Sequence, residues 1–184
     1  MEYLQRTEVR NLLKVALEHN PEHHLALLVM YATGTRVSQA LELTGAHVYT
    51  DETTGVAKIR IPKAKRGLTR SYEIFKSVNP VLDLTPLVAL AARRGSAKLF
   101  GGLTRQYLHK VLKRYAKLAG LPQDMVHCHI IRHSTATRIW NETHSLGAIT
   151  GYLCHSSPAS AYPYLREHDA SIAEKAMRQE LEAA

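Results

Sequence analysis

A stretch near the end of the chain holds residue types that can act together on a phosphodiester. His129 and Arg132 are three residues apart in HIIRHSTATRIW, so a helix would place them on one face. Further on, His155 precedes Tyr164 by nine residues, with turn-forming residues between them. Imidazole moves protons, guanidinium binds phosphate oxygens, and a phenol oxygen is a nucleophile. The simpler alternative is a helix with a surface histidine and arginine, followed by a loop that happens to hold a tyrosine.

The composition of the 184-residue chain indicates a folded protein suited to a polyanionic partner. There are 24 lysine and arginine residues against 16 aspartate and glutamate residues, a net charge of +8, which favours nucleic acid over a membrane surface. Cys128 and Cys154 form no disulfide pattern, so a reducing compartment is expected. We find no signal peptide and no apolar run long enough to span a bilayer. The expected location is therefore cytoplasmic and nucleoid-associated, without membrane contact.

A second candidate arginine lies at a break between two helical segments. Residues 22 to about 32 are apolar almost throughout, as in a central core helix. The sequence TGT then interrupts the pattern, and Arg36 begins a short third helix. An arginine held at such a turn suits recognition of a phosphate, although a capping or solvated arginine is the simpler interpretation.

The hydrophobic period changes from helical to alternating between residues 48 and 75. Residues 48–49, 56–61 and 71–75 are predicted to form three short strands joined by turns. The predicted fold class is therefore mainly α with a small three-stranded antiparallel β-sheet. Against a single acid, Glu73, this ribbon carries seven cations: Lys58, Arg60, Lys63, Lys65, Arg66, Arg70 and Lys76. The ribbon is either a DNA-contacting edge, with Lys65 at its tip, or a solvated hairpin whose lysines protect a sheet edge.

The clearest amphipathic helix is predicted from a cap at Thr104 to about Ala119. Its apolar face is predicted to contain Leu108, Val111, Leu112, Tyr115 and Leu118. A basic stripe at spacings of three, four and seven residues consists of Lys110, Lys113, Arg114 and Lys117. In a chain this basic the stripe favours phosphate contact, although such stripes are often only solvated. A last helix is predicted after Tyr164, from residue 171 to about 181.

Taken together, these pieces resemble the catalytic domain of the tyrosine recombinases, the phage integrase family. They follow that family's order over nearly the whole chain: an arginine in a YATGTR turn, a hairpin lysine, an H-x-x-R-H helix, a second histidine, and a tyrosine nine residues later. The resemblance implies a catalytic set made of Arg36, Lys65, His129, Arg132, His155 and Tyr164, with Lys63 as the alternative hairpin lysine. We expect DNA contacts from Lys63, Arg66, Arg70, Lys110, Lys113, Arg114 and Lys117.

The same resemblance implies a chemistry. Tyr164 would attack the scissile phosphate to give a 3′-phosphotyrosine and a free 5′-hydroxyl, with Lys65 protonating the leaving oxygen. Arg36 and Arg132 would stabilise the charge that develops on the non-bridging oxygens. The first histidine of the set would assist as general base, and the second would donate a hydrogen bond to a non-bridging oxygen. Because the phosphotyrosine conserves the bond energy, we expect neither a cofactor nor a metal.

The implied partners are double-stranded DNA carrying a specific recombination site and further copies of the chain, expected to assemble as a tetramer. Accessory DNA-bending proteins are further expected partners. The expected task is integration and excision, or inversion, of a mobile or phage element. We expect one catalytic domain over residues 1–184 without the family's N-terminal core-binding domain. Residues 165–184 would form the C-terminal tail and helix that family members exchange between protomers.

Some positions depart from the family's pattern. Gln39 stands where an acidic residue usually follows the first arginine, and Glu42, one turn later, is the candidate to take over its buttressing role. Pro163 directly precedes the nucleophile and restricts Tyr162 to extended conformations. Tyr162 is a rival nucleophile, although its spacing of seven residues from the second histidine is off the pattern.

Other classes of function stay open at this stage. The chain could be a non-catalytic DNA-binding protein on the same scaffold, with Tyr164 unused, or an enzyme that relaxes DNA as type IB topoisomerases do. A metal site would draw on neighbouring histidines and cysteines, but adjacent residues rarely bind one ion together. Each cysteine is expected to pack as a small buried hydrophobe instead. The residues of the disfavoured metal site are His127, Cys128, His129, Cys154 and His155.

Overall fold

Helices pack against one face of a small sheet in the part of the chain that the computed structural model describes, residues 3–62 and 69–153. The helices are α1 (Arg6–His19), α2 (Pro21–Thr33), α3 (Val37–Leu41), α4 (Pro86–Arg94), α5 (Arg105–Leu118), α6 (Cys128–Thr143) and α7 (Leu146–Leu153). The strands are β1 (Val48–Thr50), β2 (Ala57–Ile61) and β3 (Arg70–Glu73). Two 3₁₀ turns lie at Gly45–His47 and Pro80–Leu82. The predictions on Lys63, Lys65, Arg66, Cys154, His155, Tyr162, Pro163, Tyr164 and the last helix fall outside the described residues.

The sheet confirms the predicted fold class. Its strands pair antiparallel in the order β1-β2-β3, with Ile59 of β2 opposite Val48 on one side and Tyr72 on the other. Ile59 and Ile61 are buried and turn the inner face of the sheet towards the helices. The outer face carries the charged residues, as the alternating pattern predicts.

The positive charge of the sheet is partly balanced by neighbouring side chains, which the alternating sequence pattern does not show. Lys58 forms an ion pair with Asp51, at 2.7 Å between Nζ and Oδ2. This hydrogen bond is the largest cause of a raised pKa at Lys58 and lowers the pKa of Asp51 to about 2. The guanidinium of Arg60 lies 4.7 Å from the ring centre of Tyr49. Lys58 and Arg60 are therefore engaged by neighbours at the sheet.

Helix α2 is the core helix that its apolar sequence predicts. The Asn20 side chain caps it by accepting hydrogen bonds from the backbone N–H groups of Glu22 and His23, at 2.9 and 3.0 Å. The run Leu25, Ala26, Leu27, Leu28, Val29 and Met30 is buried, with α1 and α6 packed against it. Although α2 is the most apolar long helix, no helix of the described segments has both the length and the hydropathy that a membrane span requires.

Helix α7 is not predicted from the sequence, because LGAITGYL contains two glycines and β-branched residues that disfavour helix. Tertiary packing overrides that preference: Ile149 and Leu153 are buried against Trp140 of α6 in a small second cluster. A second difference concerns Leu118. It is the last residue of α5, is 53% exposed, and does not belong to the apolar face of that helix.

The turn between α2 and α3 depends on a glycine in the left-handed conformation. Gly34 has φ of +63°, which only glycine adopts at little cost. A Cβ atom on Gly34 would lie 2.1 Å from Cδ2 of Leu153, the last residue of α7. The end of α7 therefore packs directly on this turn.

Gly34→Ala should lower the free energy of unfolding by at least about 1 kcal/mol more than Gly55→Ala does. Both glycines have positive φ, so both substitutions carry a left-handed penalty of about 1–2 kcal/mol. A Cβ at Gly55 meets nothing within 4 Å, whereas one at Gly34 must displace the buried side chain of Leu153 at the end of α7. Urea unfolding of the two variants measures the difference, and equal losses would show that α7 does not pack on the turn as described.

Candidate active site

Arg132 is the most buried charged residue of the predicted catalytic set that the structure describes. It lies on α6, is 4% exposed, and donates a hydrogen bond from Nη1 to the carbonyl of Gly34. Its Nη2 donates to the carbonyl of Leu153 at 3.1 Å. A buried guanidinium needs such acceptors, because an unsatisfied charge in the interior is very costly. Arg132 thus joins three elements: α6, the turn after α2, and the end of α7.

Arg36 stands at the N-terminus of α3 with its side chain exposed. Gln39 orders this turn: its Oε1 accepts from the backbone N–H of Arg36 and from the hydroxyl of Thr35, both at 3.3 Å. The Nε2 of Gln39 donates to the carbonyl of Pro62, just after β2, at 3.1 Å. Gln39 therefore ties the arginine turn to the strand that leads into the hairpin.

Glu42 does not occupy the place of the missing acid. Its carboxylate accepts from Nζ of Lys98 at 2.8 Å, on a surface where both side chains are at least half exposed. The buttressing role considered for Glu42 is therefore not seen, and the amide of Gln39 holds the turn instead.

His129 lies one turn before Arg132 on α6, at the opening of the site. Partial burial is the largest cause of a lowered pKa at His129. The positive charges of Arg132, His127, Arg36 and Arg105 lower the pKa further. Arg36 and Arg132 therefore both contribute positive charge to the surroundings of this imidazole. Burial and these positive charges both favour the neutral form of His129, the form that can accept a proton.

His133, one turn further along α6, shares this environment. Its ring packs edge-on against that of His129, with centroids 5.1 Å apart. Burial first, and then the neighbouring histidines and Arg132, lower its pKa to about 4. His133 is therefore an uncharged ring that supports His129.

An open cavity of about 640 Å³ adjoins His129, between the first turn of α5 and the start of α6. Sequence reasoning missed Arg105 and His109 in its wall, although their spacing of four residues places them on one helix face. Which neighbour that face meets depends on how α5 packs on α6, which the sequence does not show. The cavity is lined by Val37, Arg105, Gln106, His109, His127, Cys128 and His129.

The basic stripe of α5 continues outward from this cavity. Lys110, Arg114 and Lys117 are exposed and Lys113 is half-buried, all on the side of α5 that faces away from the core. Arg70 is arranged differently. Its guanidinium donates to the carbonyl of Gly151 at the end of α7, so its predicted contact with DNA stays a prediction.

Cys128 matches the expectation of a small packed side chain. It is half-buried against the core, and burial raises the pKa of its thiol, which disfavours the thiolate that a metal would need. Across residues 3–62 and 69–153, no three histidine, cysteine, aspartate or glutamate side chains group closely enough to hold a metal ion.

Comparison with known proteins identifies relatives over most of the chain. The family model described as the phage integrase family matches residues 2–171. The chain is 31% identical over 156 residues to the tyrosine recombinase XerD of Xanthomonas campestris, covering 75% of this chain and 46% of that protein. It is 29% identical over 185 residues to the tyrosine recombinase XerA of Thermococcus kodakarensis, covering 94% of this chain and 62% of that protein. The chain thus spans about half the length of the XerD protein it matches.

Solved structures share the fold. The XerH site-specific recombinase, in a post-cleavage complex with a palindromic difH substrate, superposes with a TM-score of 0.74 at 23% identity. That match covers 97% of this chain and 53% of XerH. The catalytic domain of bacteriophage HP1 integrase gives a TM-score of 0.65 at 21% identity, covering 90% of this chain and 88% of that domain.

Stability should fall as the pH is lowered from about 7 towards 4, and His133→Gln should reduce that fall. The unfolded chain binds a proton at a histidine near pH 6.5, whereas folded His133 binds one only near pH 4. Between these values the unfolded state holds more protons, so stability is lost as the pH falls. His23, His24 and His129, whose pKa values are also lowered, should retain part of the slope. Urea midpoints at several pH values measure this, and an unchanged slope in His133→Gln would contradict the assigned environment.

Proposed function

The chain belongs to the phage integrase family, and from this we propose that it cuts and rejoins DNA at a specific site through a covalent phosphotyrosine intermediate. One observation carries the proposal: the buried Arg132, Arg36 at the turn after α2, and Arg105 in the cavity wall all place positive charge near the exposed imidazole of His129. The charges that lower the pKa of this histidine are all positive. Such a cluster suits an anionic group with several oxygens, and a backbone phosphate of DNA fits that description.

In the proposed reaction Tyr164 supplies the nucleophile. Its phenol oxygen forms a bond to the scissile phosphorus, and the bond from phosphorus to the 5′-oxygen breaks, leaving a 3′-phosphotyrosine. The tyrosine proton passes to a base, for which the neutral His129 is suited. Lys65 gives its proton to the departing 5′-oxygen. Rejoining reverses these transfers with a new 5′-hydroxyl, so no external energy source is needed.

The arginines act on the transition state. Negative charge grows on the non-bridging oxygens during attack, and Arg132 and Arg36 would stabilise it. Arg132 is held rigidly by the carbonyls of Gly34 and Leu153, so little reorganisation is needed when the charge develops. His155 would hydrogen-bond one of the same oxygens. Losing one such stabilising group in an enclosed site typically costs about 100- to 1,000-fold in rate.

DNA would lie across the cavity and along α5. The first turn of α5 brings Arg105 to the site, and the basic stripe of Lys110, Lys113, Arg114 and Lys117 extends from it over the exposed side of the same helix. Lys63 and Arg66 would add further contacts to the phosphates. Phosphate contacts of this kind position the duplex without reading its sequence.

We further propose that residues 1–184 act as the catalytic domain and work as a homo-oligomer on DNA, as a tetramer during strand exchange. The DNA-bound structures of XerH and of the lambda integrase dimer at a core site support this for the fold. Residues 165–184 would serve as the exchanged tail. The substrate would be a site of a mobile or phage element, acted on by integration and excision or by inversion.

The proposed chemistry predicts a covalent adduct between the protein and DNA. Wild type, Tyr164→Phe and Tyr162→Phe would be incubated at low salt and without divalent metal, using a nicked suicide duplex from the DNA flanking the gene. Adducts that survive denaturing gels are expected for wild type and Tyr162→Phe and not for Tyr164→Phe. Arg132→Gln should reduce the rate of adduct formation at least about 100-fold.

Two other outcomes of this experiment would change the proposed nucleophile or the proposed function. Loss of the adduct with Tyr162→Phe alone would move the nucleophile to that residue. Binding of the duplex without any adduct would favour a non-catalytic DNA-binding protein on the same scaffold.

The stripe on α5 predicts how DNA affinity depends on salt. Each lysine that neutralises a phosphate contributes about 0.9 to the slope of log affinity against log salt concentration. The double variant Lys110→Gln, Lys117→Gln should therefore lower that slope by about 1.8. Lys14→Gln, a substitution of an exposed lysine on α1, is the control and should leave the slope unchanged. Fluorescence anisotropy at several salt concentrations measures it, and equal slopes in the double variant and wild type would remove α5 from the DNA interface.

A further inference from the structure

The last turn of α7 is held by side chains from outside the helix. The final carbonyls of a helix have no partner within it, so others must satisfy them. The carbonyl of Gly151 accepts from Nη1 of Arg70, that of Tyr152 accepts from the hydroxyl of Tyr72, and that of Leu153 accepts from Arg132. Three consecutive carbonyls are therefore bound by β3 and α6.

Aromatic rings complete this arrangement. The guanidinium carbon of Arg70 lies 5.6 Å from the ring centre of Tyr72 and 5.4 Å from that of Tyr152. The two tyrosine rings meet edge to face, with centroids 5.1 Å apart. The hydroxyl of Tyr152 donates in turn to the carbonyl of Ala32 near the end of α2. We call Arg70, Tyr72 and Tyr152 the α7 clamp.

The helix needs such a clamp. It has only eight residues, two of them glycines, and helices this short are marginal without tertiary support. A cation at the C-terminal end also complements the helix dipole. Leu153, the last residue of α7, is two positions before His155 and eleven before Tyr164. The direction in which α7 ends therefore decides where the chain carrying both residues begins.

We propose that the α7 clamp fixes where and in which direction α7 ends, before the stretch of sequence that carries His155 and Tyr164. Its members, Arg70, Tyr72 and Tyr152, are then positioning residues for strand cleavage. Arg70 then serves by its planar, stacked guanidinium and not as a phosphate ligand. This inference rests on the proposed function. Misplacing a reacting group by about 1 Å typically costs about 100-fold in rate.

The test uses the full chain with Arg70→Lys and Tyr72→Phe, and with Tyr49→Phe as the matched control. Tyr49 lies on the same sheet, and its hydroxyl donates to Oγ of Ser71 at 2.8 Å and not to a carbonyl of α7. Adduct formation on the suicide duplex would be measured at saturating protein, and affinity for the duplex separately by anisotropy. Both clamp variants should slow adduct formation at least about tenfold, with affinity within about twofold of wild type. Tyr49→Phe should change neither quantity.

A second DNA substrate shows which part of the cleavage reaction is slowed in the clamp variants. A duplex with sulfur in place of the bridging 5′-oxygen releases a 5′-thiolate, which leaves without needing a proton. This substrate should not restore the rate of adduct formation in the clamp variants, because we expect their defect in the position of the attacking tyrosine and not in protonation of the leaving oxygen. Restoration would place the defect at the leaving-group proton and overturn the inference. A weakened affinity with a normal rate at saturation would also overturn it, since Arg70 would then be a DNA contact.

Amide hydrogen exchange in the free chain tests the clamp without DNA. Residues 149–153 should exchange at least about tenfold faster in Arg70→Lys and Tyr72→Phe than in wild type or Tyr49→Phe. Unchanged exchange would overturn the clamp even if wild type formed no adduct. If wild type forms the adduct and both clamp variants match it, the inference fails while the proposed function stands.

Discussion

The structure of the site depends on one constraint: the charge of Arg132 is buried and must be satisfied. Its side chain is 4% exposed, and its hydrogen bonds go to backbone carbonyls at two separate places in the chain. Hydrogen bonds to a charged group contribute roughly 1.5–3 kcal/mol each, and a buried charge without them would be far more costly. The carbonyls of Gly34 and Leu153 must therefore be in place for α6 to pack as it does.

Several features follow from that requirement. Gly34 adopts a left-handed conformation, which turns the chain from α2 into α3 and places Arg36 at the start of α3. Leu153 packs on the same glycine, so the end of α7 and the arginine turn form one unit. Gln39 extends this unit to β2 through Pro62, and the α7 clamp extends it to β3. Hydrogen bonds therefore join the turn that carries Arg36, the end of β2, helix α6 and the end of α7 into one unit.

Local pattern was enough to predict most elements but not their contacts. Helix α2 has an apolar helical segment, α5 has a cap at Thr104 and a helical period, and the strands have an alternating period, so the fold class follows from the sequence. Helix α7 could not be predicted in this way, because packing on Trp140 overrides its glycines. The motifs led to Arg36, His129 and Arg132, whereas Arg105 was missed because its role depends on how α5 packs on α6. Arg70 shows the same limit, since the sequence of a basic hairpin does not reveal its contacts with Tyr72, Tyr152 and the carbonyl of Gly151.

The most direct test of this account is a crystal structure of the chain trapped covalently on a nicked duplex. We predict that Arg132 and Arg36 bind non-bridging oxygens of the phosphate joined to Tyr164. Arg132 should keep its hydrogen bonds to the carbonyls of Gly34 and Leu153. A phosphate bound elsewhere, or an Arg132 that has exchanged these carbonyls for other partners, would contradict the claim that one preorganised arginine both holds the fold and serves the chemistry.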